Sequence, residues 1–203
     1  HSIDTGFFKL DGGAMFGVVP KTMWQKLNPP DNKNLCTWAA RCLLIESGNR
    51  LVLVDTGLGN KQDARFRGFF EPHGEANLKD SIRKAGYDVS EITDVLLTHL
   101  HFDHCGGAVD LDADGRSIIP FTNATYWSSA KHCDWALDPN PREKASFLRE
   151  NILPIMDSGQ LKFTEDEDMQ VEGLTLDYVY GHTEAMMVCH IEGFKGRTVS
   201  YAA

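Results

Sequence analysis

The sequence predicts one α/β domain in which mixed sheets are flanked by helices, and three observations point to it. Short apolar segments of strand-like composition alternate with stretches whose apolar residues fall at helical spacing. The 203 residues suit one domain, long enough to bury roughly 70% of the chain's surface without a metal or disulfide staple. Hydrophobic residues make up 42% and charged residues 24%, an ordinary globular balance.

The elements follow in order. Ala14–Val19 reads as a strand, and Trp38–Glu46 as a longer one. Leu51–Val54 is a short buried strand after the turn Ser47-Gly48-Asn49, and it runs straight into Asp55-Thr56-Gly57. Leu78, Ile82 and Ala85 fall at i, i+4 and i+7, which predicts a helix ending near Gly86. Thr93–Thr98 is a continuous apolar strand between polar ends, the pattern of a strand buried on both faces. A helical region runs from Pro141 toward Ile152, carrying Phe147 and Leu148. The acidic Thr164–Asp168 reads as a solvated surface turn. Leu174–Tyr180, Met186–Ile191 and Thr198–Tyr201 read as three closing strands, the last two joined by the turn Glu192–Gly196. The final strand has no polar tail, as though the polypeptide ran on past Ala203.

Charge and composition exclude some function classes. Twenty Lys and Arg against 29 Asp and Glu give a net charge of −9, a poor basis for non-specific nucleic-acid binding. No run approaches the roughly 18 apolar residues of a membrane span, so no membrane partner is expected. The five cysteines are odd in number and contain no Cys-x-x-Cys pair, which reads as reduced, buried thiols. The opening residues lack the basic start and long apolar run of a signal peptide, and the expected location is cytoplasmic.

Chemistry concentrates after Thr98. His99, His101, Asp103 and His104 lie within six positions and use three of the chain's eight histidines. His99 and His101 are i and i+2, so in extended backbone both rings share one side and can grip one ion. Asp103 and His104 follow where the chain turns toward a neighbouring position, and Gly106-Gly107 lets the backbone fold tightly there. Imidazole and carboxylate donors without thiolates suit Zn²⁺, and also Fe or Mn, in a catalytic rather than a closed structural site. Cys105, beside the cluster, reads as a small packing residue.

Strand followed by His-x-His-x-Asp-His and Gly-Gly resembles the signature of the metallo-β-lactamase superfamily of metal-dependent hydrolases. Leu51–Gly57 is similar to that family's strand ending in Asp-Thr-Gly, and Gly181-His182-Thr183 to its later Gly-His-Thr loop. The resemblance implies an αβ/βα sandwich of four layers, with two sheets face to face, helices outside and two divalent metal ions, zinc foremost, at one edge. It implies that His99, His101 and His182 hold the first ion, that Asp103 and His104 hold the second, and that Asp55 orients the metal loop. The plainer reading of Asp55, weighed below that role, is an ordinary Asp capping a turn after a strand. His73, His132 and His190 have no motif support and read as surface or core residues.

The sequence departs from that pattern twice. Glu184-Ala185-Met186 follows Gly-His-Thr where the family commonly has Pro-Gly-His, implying a different pocket wall. The bridging Asp and final His that the family adds to the second ion are not found after His182, where His190 is the one histidine and no Asp follows. The resemblance would put the Asp just past Ala203, in a longer protein.

Within the superfamily, Gly13–Pro20 and His-Leu-His-Phe-Asp-His look similar to N-acyl homoserine lactonases and related lactone or organophosphate hydrolases. The expected partner is a small-molecule lactone or ester, opened by a hydroxide held between the two ions, with Asp103 passing a proton to the leaving group. Met15, Phe16, Trp24, Phe69 and Phe70 are candidates for an apolar pocket beside the metals. A homodimer is left open. Two other readings stand beside this one: a mononuclear iron oxygenase of the persulfide-dioxygenase type, and a catalytically silent binding protein of the same fold.

Overall fold

A six-stranded sheet forms the centre of the computed structural model, which describes residues 1–167, 169–194 and 196–203. In chain order the strands are β1 (Ser2–Asp11), β2 (Leu35–Ser47), β3 (Arg50–Val54), β4 (Asp94–Leu96), β5 (Asp110–Leu111), β6 (Ser117–Ile118), β7 (Thr125–Ser128), β8 (Leu161–Phe163), β9 (Leu174–Val179), β10 (Met186–Phe194) and β11 (Arg197–Tyr201). The helices are α1 (Gly12–Phe16), α2 (Lys21–Trp24), α3 (Ala64–Phe70), α4 (Leu78–Lys84), α5 (Phe102–Cys105), α6 (Ala130–Leu137) and α7 (Arg149–Asp157). The large sheet has the order β1-β2-β3-β4-β7-β8, antiparallel through β3 and parallel from there on. A second, antiparallel sheet has the order β11-β10-β9, and β5 pairs with β6 in a small hairpin.

The period-two alternation of strand side chains decides the layering. Leu51 and Leu53 of β3, with Val95 of β4 and Leu97, face one side, against Ile82 of α4, Cys133 and Ala136 of α6, and Ile152 and Ile155 of α7. Val52 and Val54, with Leu96 and Trp127, face the other side, against Met187 and Cys189 of β10 and Leu174, Leu176 and Tyr178 of β9. Burial is worth about 1.5–3 kcal/mol for each such aliphatic side chain, so apolar residues on both faces fix β3 and β4 at the centre. The result is helices, sheet, sheet: the two sheets stack face to face as expected. On the outward side of the three-stranded sheet, Thr175, Asp177 and Val179 are exposed.

Two elements differ from the sequence reading. The segment expected as a strand over Ala14–Val19 instead opens in helix α1, because Asp11 caps it by accepting from the Ala14 amide at 2.9 Å and Gly17, at φ +54°, ends it. The region from Pro141 starts as turns and a 3-10 segment over Lys144–Ser146, and the α-helix begins only at Arg149. Thr164–Glu167 form the expected turn after β8, while Asp168 lies outside the described residues. Lys195, in the expected turn between β10 and β11, lies outside them as well. All five cysteines are buried and free. No helix among the described residues is long and apolar enough to cross a membrane.

Candidate metal centre

The C-terminal ends of β3 and β4 lie side by side in parallel, so the chain segments that leave them meet at one edge of the sandwich. Asp55 leaves β3 with φ +59°, a left-handed conformation that Asp tolerates, and its buried carboxylate turns toward the loop leaving β4. It accepts from the Thr98 amide at 2.9 Å, from the Thr98 hydroxyl at 2.9 Å, from His104 Nδ1 at 3.0 Å and from the Tyr201 hydroxyl at 3.1 Å. Thr56 closes the same corner by donating its amide and hydroxyl to the His104 carbonyl.

This network sets the tautomers of two imidazoles. The Thr98 hydroxyl has one proton, which goes to Asp55, so its oxygen accepts from His99 Nδ1 at 3.1 Å. The lone pair of His99 is thereby left on Nε2, which is buried without a hydrogen-bond partner. His104 donates its Nδ1 proton to Asp55, leaving Nε2 to face the Asp103 carboxylate at 3.3 Å.

His182 arrives from the turn between β9 and β10. Its Nε2 lies 3.2 Å from His101 Nδ1, although 81 residues separate the two in sequence. The ring centroids of His99, His101 and His182 are 4.7–5.1 Å apart, and one donor atom from each lies within 4.8 Å of the others. His104 stands 4.1 Å from His99, ring to ring.

Burial, reinforced by mutual repulsion among the rings, keeps these imidazoles neutral. It lowers His99 well below its ordinary value, His101 to about 4, and His182 in the same direction. At the Asp103–His104 pair burial also disfavours charge, but mutual attraction and hydrogen bonding outweigh it. Asp103 is held below the usual carboxylate range and His104 above the usual imidazole range. Neutral nitrogens facing one another, and a carboxylate facing an imidazole nitrogen, form a donor set that fits divalent cations.

Three supports were not legible in the motifs. His132 of α6 is fully buried: it accepts from the Leu100 amide at 2.8 Å and places Nδ1 2.6 Å from the Glu184 carbonyl, tying the β4 loop to the His182 turn. The ammonium of Lys61 is bonded to the carbonyls of Gly106 and Val109 behind the loop. Glu143, between α6 and α7, accepts from Thr183 at 2.8 Å and from the Trp135 indole at 3.0 Å. Burial works against its charge, but these hydrogen bonds hold it below the usual carboxylate range. Each acts across a long stretch of chain with no local spacing that could announce it.

The candidate pocket residues separate. Phe70 packs on Phe102, which sits between His101 and Asp103, at a centroid distance of 4.5 Å, and Phe66 joins them. Phe69 is exposed beneath the Arg65 guanidinium. Trp24 is buried against Gly12 and stacks on Phe16 at 4.7 Å, while Met15 is exposed. A cleft of about 310 Å³ opens against the Asp55–Gly59 turn, lined by Thr56, Leu58, Phe7, Phe8, Arg67 and His73 among others. None of the five candidate metal-binding residues lines it.

The family model for the metallo-beta-lactamase superfamily matches residues 38–199. The chain belongs to the metallo-beta-lactamase superfamily. An N-acyl homoserine lactonase of Bacillus thuringiensis is 27% identical over 176 residues, covering 82% of this chain and 62% of that protein. The chain thus spans about 62% of the length of that relative. A probable metallo-hydrolase of Mycobacterium tuberculosis is 36% identical over 77 residues, 34% of this chain and 24% of its own. Among solved structures, a probable metal-dependent hydrolase from Staphylococcus aureus matches with a TM-score of 0.87 at 28% identity, covering 98% of this chain and 70% of that one. A dizinc quorum-quenching lactonase solved with an N-hexanoyl-L-homoserine product shares the fold, with a TM-score of 0.72 at 21% identity over 98% of this chain and 69% of its own.

Proposed function

We propose that the chain carries the active centre of a metal-dependent hydrolase that opens a lactone or ester bond, with N-acyl homoserine lactones as the substrate class. The observation that supports this best is the approach of His182 Nε2 to His101 Nδ1 at 3.2 Å, next to the partnerless Nε2 of His99. Through these atoms His99, His101 and His182 would hold one divalent ion, zinc being the natural choice for three imidazoles. Asp103 and His104 would contribute to a second. When bound, such ions lower the pKa of a water toward about 7 and polarise a substrate carbonyl.

The chain's own residues supply the rest. Asp55 fixes the rings of His99 and His104, the first through Thr98. Asp103 presents a carboxylate oxygen that can carry a proton toward the leaving alkoxide. Phe66 and Phe70, half-buried against Phe102, offer apolar surface beside the loop, suited to an acyl chain rather than a nucleotide. The lactonase names carried by the curated relatives point the same way.

The test is metal analysis of the intact protein together with rates on N-hexanoyl homoserine lactone and a panel of aryl esters. Hydrolysis is expected, lost on chelation and restored by zinc, and His101→Ala should bind less metal while remaining folded. A rate indifferent to complete metal removal, or one iron per chain with oxygen uptake and no hydrolysis, would overturn the proposal.

A further inference from the structure

We propose that Glu143 is a positioning residue: its carboxylate holds the His101 ring in the tautomer that has its proton on Nε2, so that Nδ1 offers its lone pair to the ion shared with His182. This rests on the metal reading above. Two nitrogens bound to one tetrahedral ion at about 2.0–2.1 Å stand roughly 3.3–3.4 Å apart. The 3.2 Å between His101 Nδ1 and His182 Nε2, a hydrogen-bond contact without the ion, is close to that spacing, so on the metal reading Nδ1 is the nitrogen of His101 that would meet the ion. Its proton must then sit on Nε2.

That nitrogen is buried and has no hydrogen-bond partner, and a carboxylate oxygen of Glu143 faces it at 4.0 Å. The distance is too long for a hydrogen bond, yet a negative charge so close in a buried site still favours a proton on the facing nitrogen. The carboxylate is held in place by three donors: the Thr183 hydroxyl at 2.8 Å, the Trp135 indole at 3.0 Å and the Asn140 amide at 3.2 Å. Thr183 follows His182 directly, so one side chain addresses His101 and the turn that carries its neighbour. Asp55 already serves His99, through Thr98, and His104. Glu143 gives His101 the carboxylate it otherwise lacks, completing the arrangement in which metal-binding imidazoles are oriented from behind.

The test uses the intact, zinc-loaded protein and compares Glu143→Gln, Glu143→Asp and Thr183→Val with wild type. Histidine ¹⁵N NMR reads the tautomer, competition with a chromophoric chelator reads zinc affinity, and thermal unfolding reads the fold. Glu143→Gln is expected to weaken zinc binding 10–100-fold and to lose the clean Nε2–H signature of His101, with the melting temperature close to wild type. Glu143→Asp should recover part of both, and Thr183→Val should shift them in the same direction by less. Unchanged affinity and tautomer in Glu143→Gln would overturn the inference, as would a lowered melting temperature with neither altered. If His101→Ala loses zinc while Glu143→Gln does not, this inference alone fails; if His101→Ala keeps full zinc, the metal reading fails with it.

Discussion

Asp55 and His104, 49 residues apart, are joined by a 3.0 Å hydrogen bond from the imidazole Nδ1 to the carboxylate. The bond connects the turn after β3 to the turn after β4, and it leaves Nε2 of His104 turned toward the Asp103 carboxylate. Because the same carboxylate also receives Thr98 and Tyr201, its four donors come from three residues in two separate parts of the chain.

Removing Asp55 should therefore act on the fold and on the site separately. Asp55→Ala leaves buried donors unpaired and is expected to cost about 3–5 kcal/mol in chemical unfolding, the range for breaking a buried charged pair. Asp55→Asn keeps the shape and the tolerance for the left-handed backbone but removes the charge. It should fold and yet hold metal 10–100-fold more weakly, measured by competition with a chelator. Equal metal affinity in Asp55→Asn would refute the orienting role.

His132 makes a simpler prediction. His132→Phe preserves ring volume but strands the Leu100 amide. Equilibrium urea unfolding should report a loss of about 1–3 kcal/mol. A variant as stable as wild type would mean that the link between the two loops carries no weight.

Gly106 leaves no room for a side chain. A Cβ there would overlap the Leu58 carbonyl, which is backbone and cannot swing aside. Gly106→Ala is expected to cost about 3 kcal/mol or more. Gly68→Ala, in α3 with open space around it, serves as the control and should be neutral or stabilising by up to about 1 kcal/mol. Similar melting temperatures for the two variants would contradict this.

Lys61 should give stability a pH dependence. Burial pulls its ammonium down from 10.5 to about 8, against opposing attraction from Cys105, Glu150 and Asp110. Between about 8 and 10.5 the unfolded chain keeps a proton that the folded chain has released, so this contribution to stability rises with pH in that window and is flat below it. Titrating cysteines and tyrosines act there too, so the informative quantity is wild type minus Lys61→Met. That difference should climb from about pH 8 upward; a flat difference would show that Lys61 keeps its charge in the folded state.

The candidate metal loop is legible in the sequence because its residues are crowded: His99, His101, Asp103 and His104 need only one strand and one turn to converge. His182 was legible through the family resemblance, since no local spacing ties it to residues so far upstream. Strands β3 and β4 were readable as apolar runs because they are buried on both faces. Strand β1 is not legible in the sequence because a register shift between Asp4 and Phe7 breaks its alternation: Ile3 and Phe8 are both buried although five positions separate them. Helix α1 reads as a strand in the sequence because a cap and a glycine, rather than composition, define its five residues. His132 and Glu143 stayed hidden for a different reason. Their roles exist only once α6 has been laid beside the metal loop, and one sequence holds no trace of that juxtaposition.

Tyr201 belongs to β11, at the far edge of the second sheet, yet its hydroxyl shares its one proton between the Arg41 carbonyl at 2.9 Å and the Asp55 carboxylate at 3.1 Å. Peeling the smaller sheet away would strip a donor from the carboxylate that aligns His104. A molecule whose layers have not closed thereby lacks one of the contacts that hold the candidate residues in line.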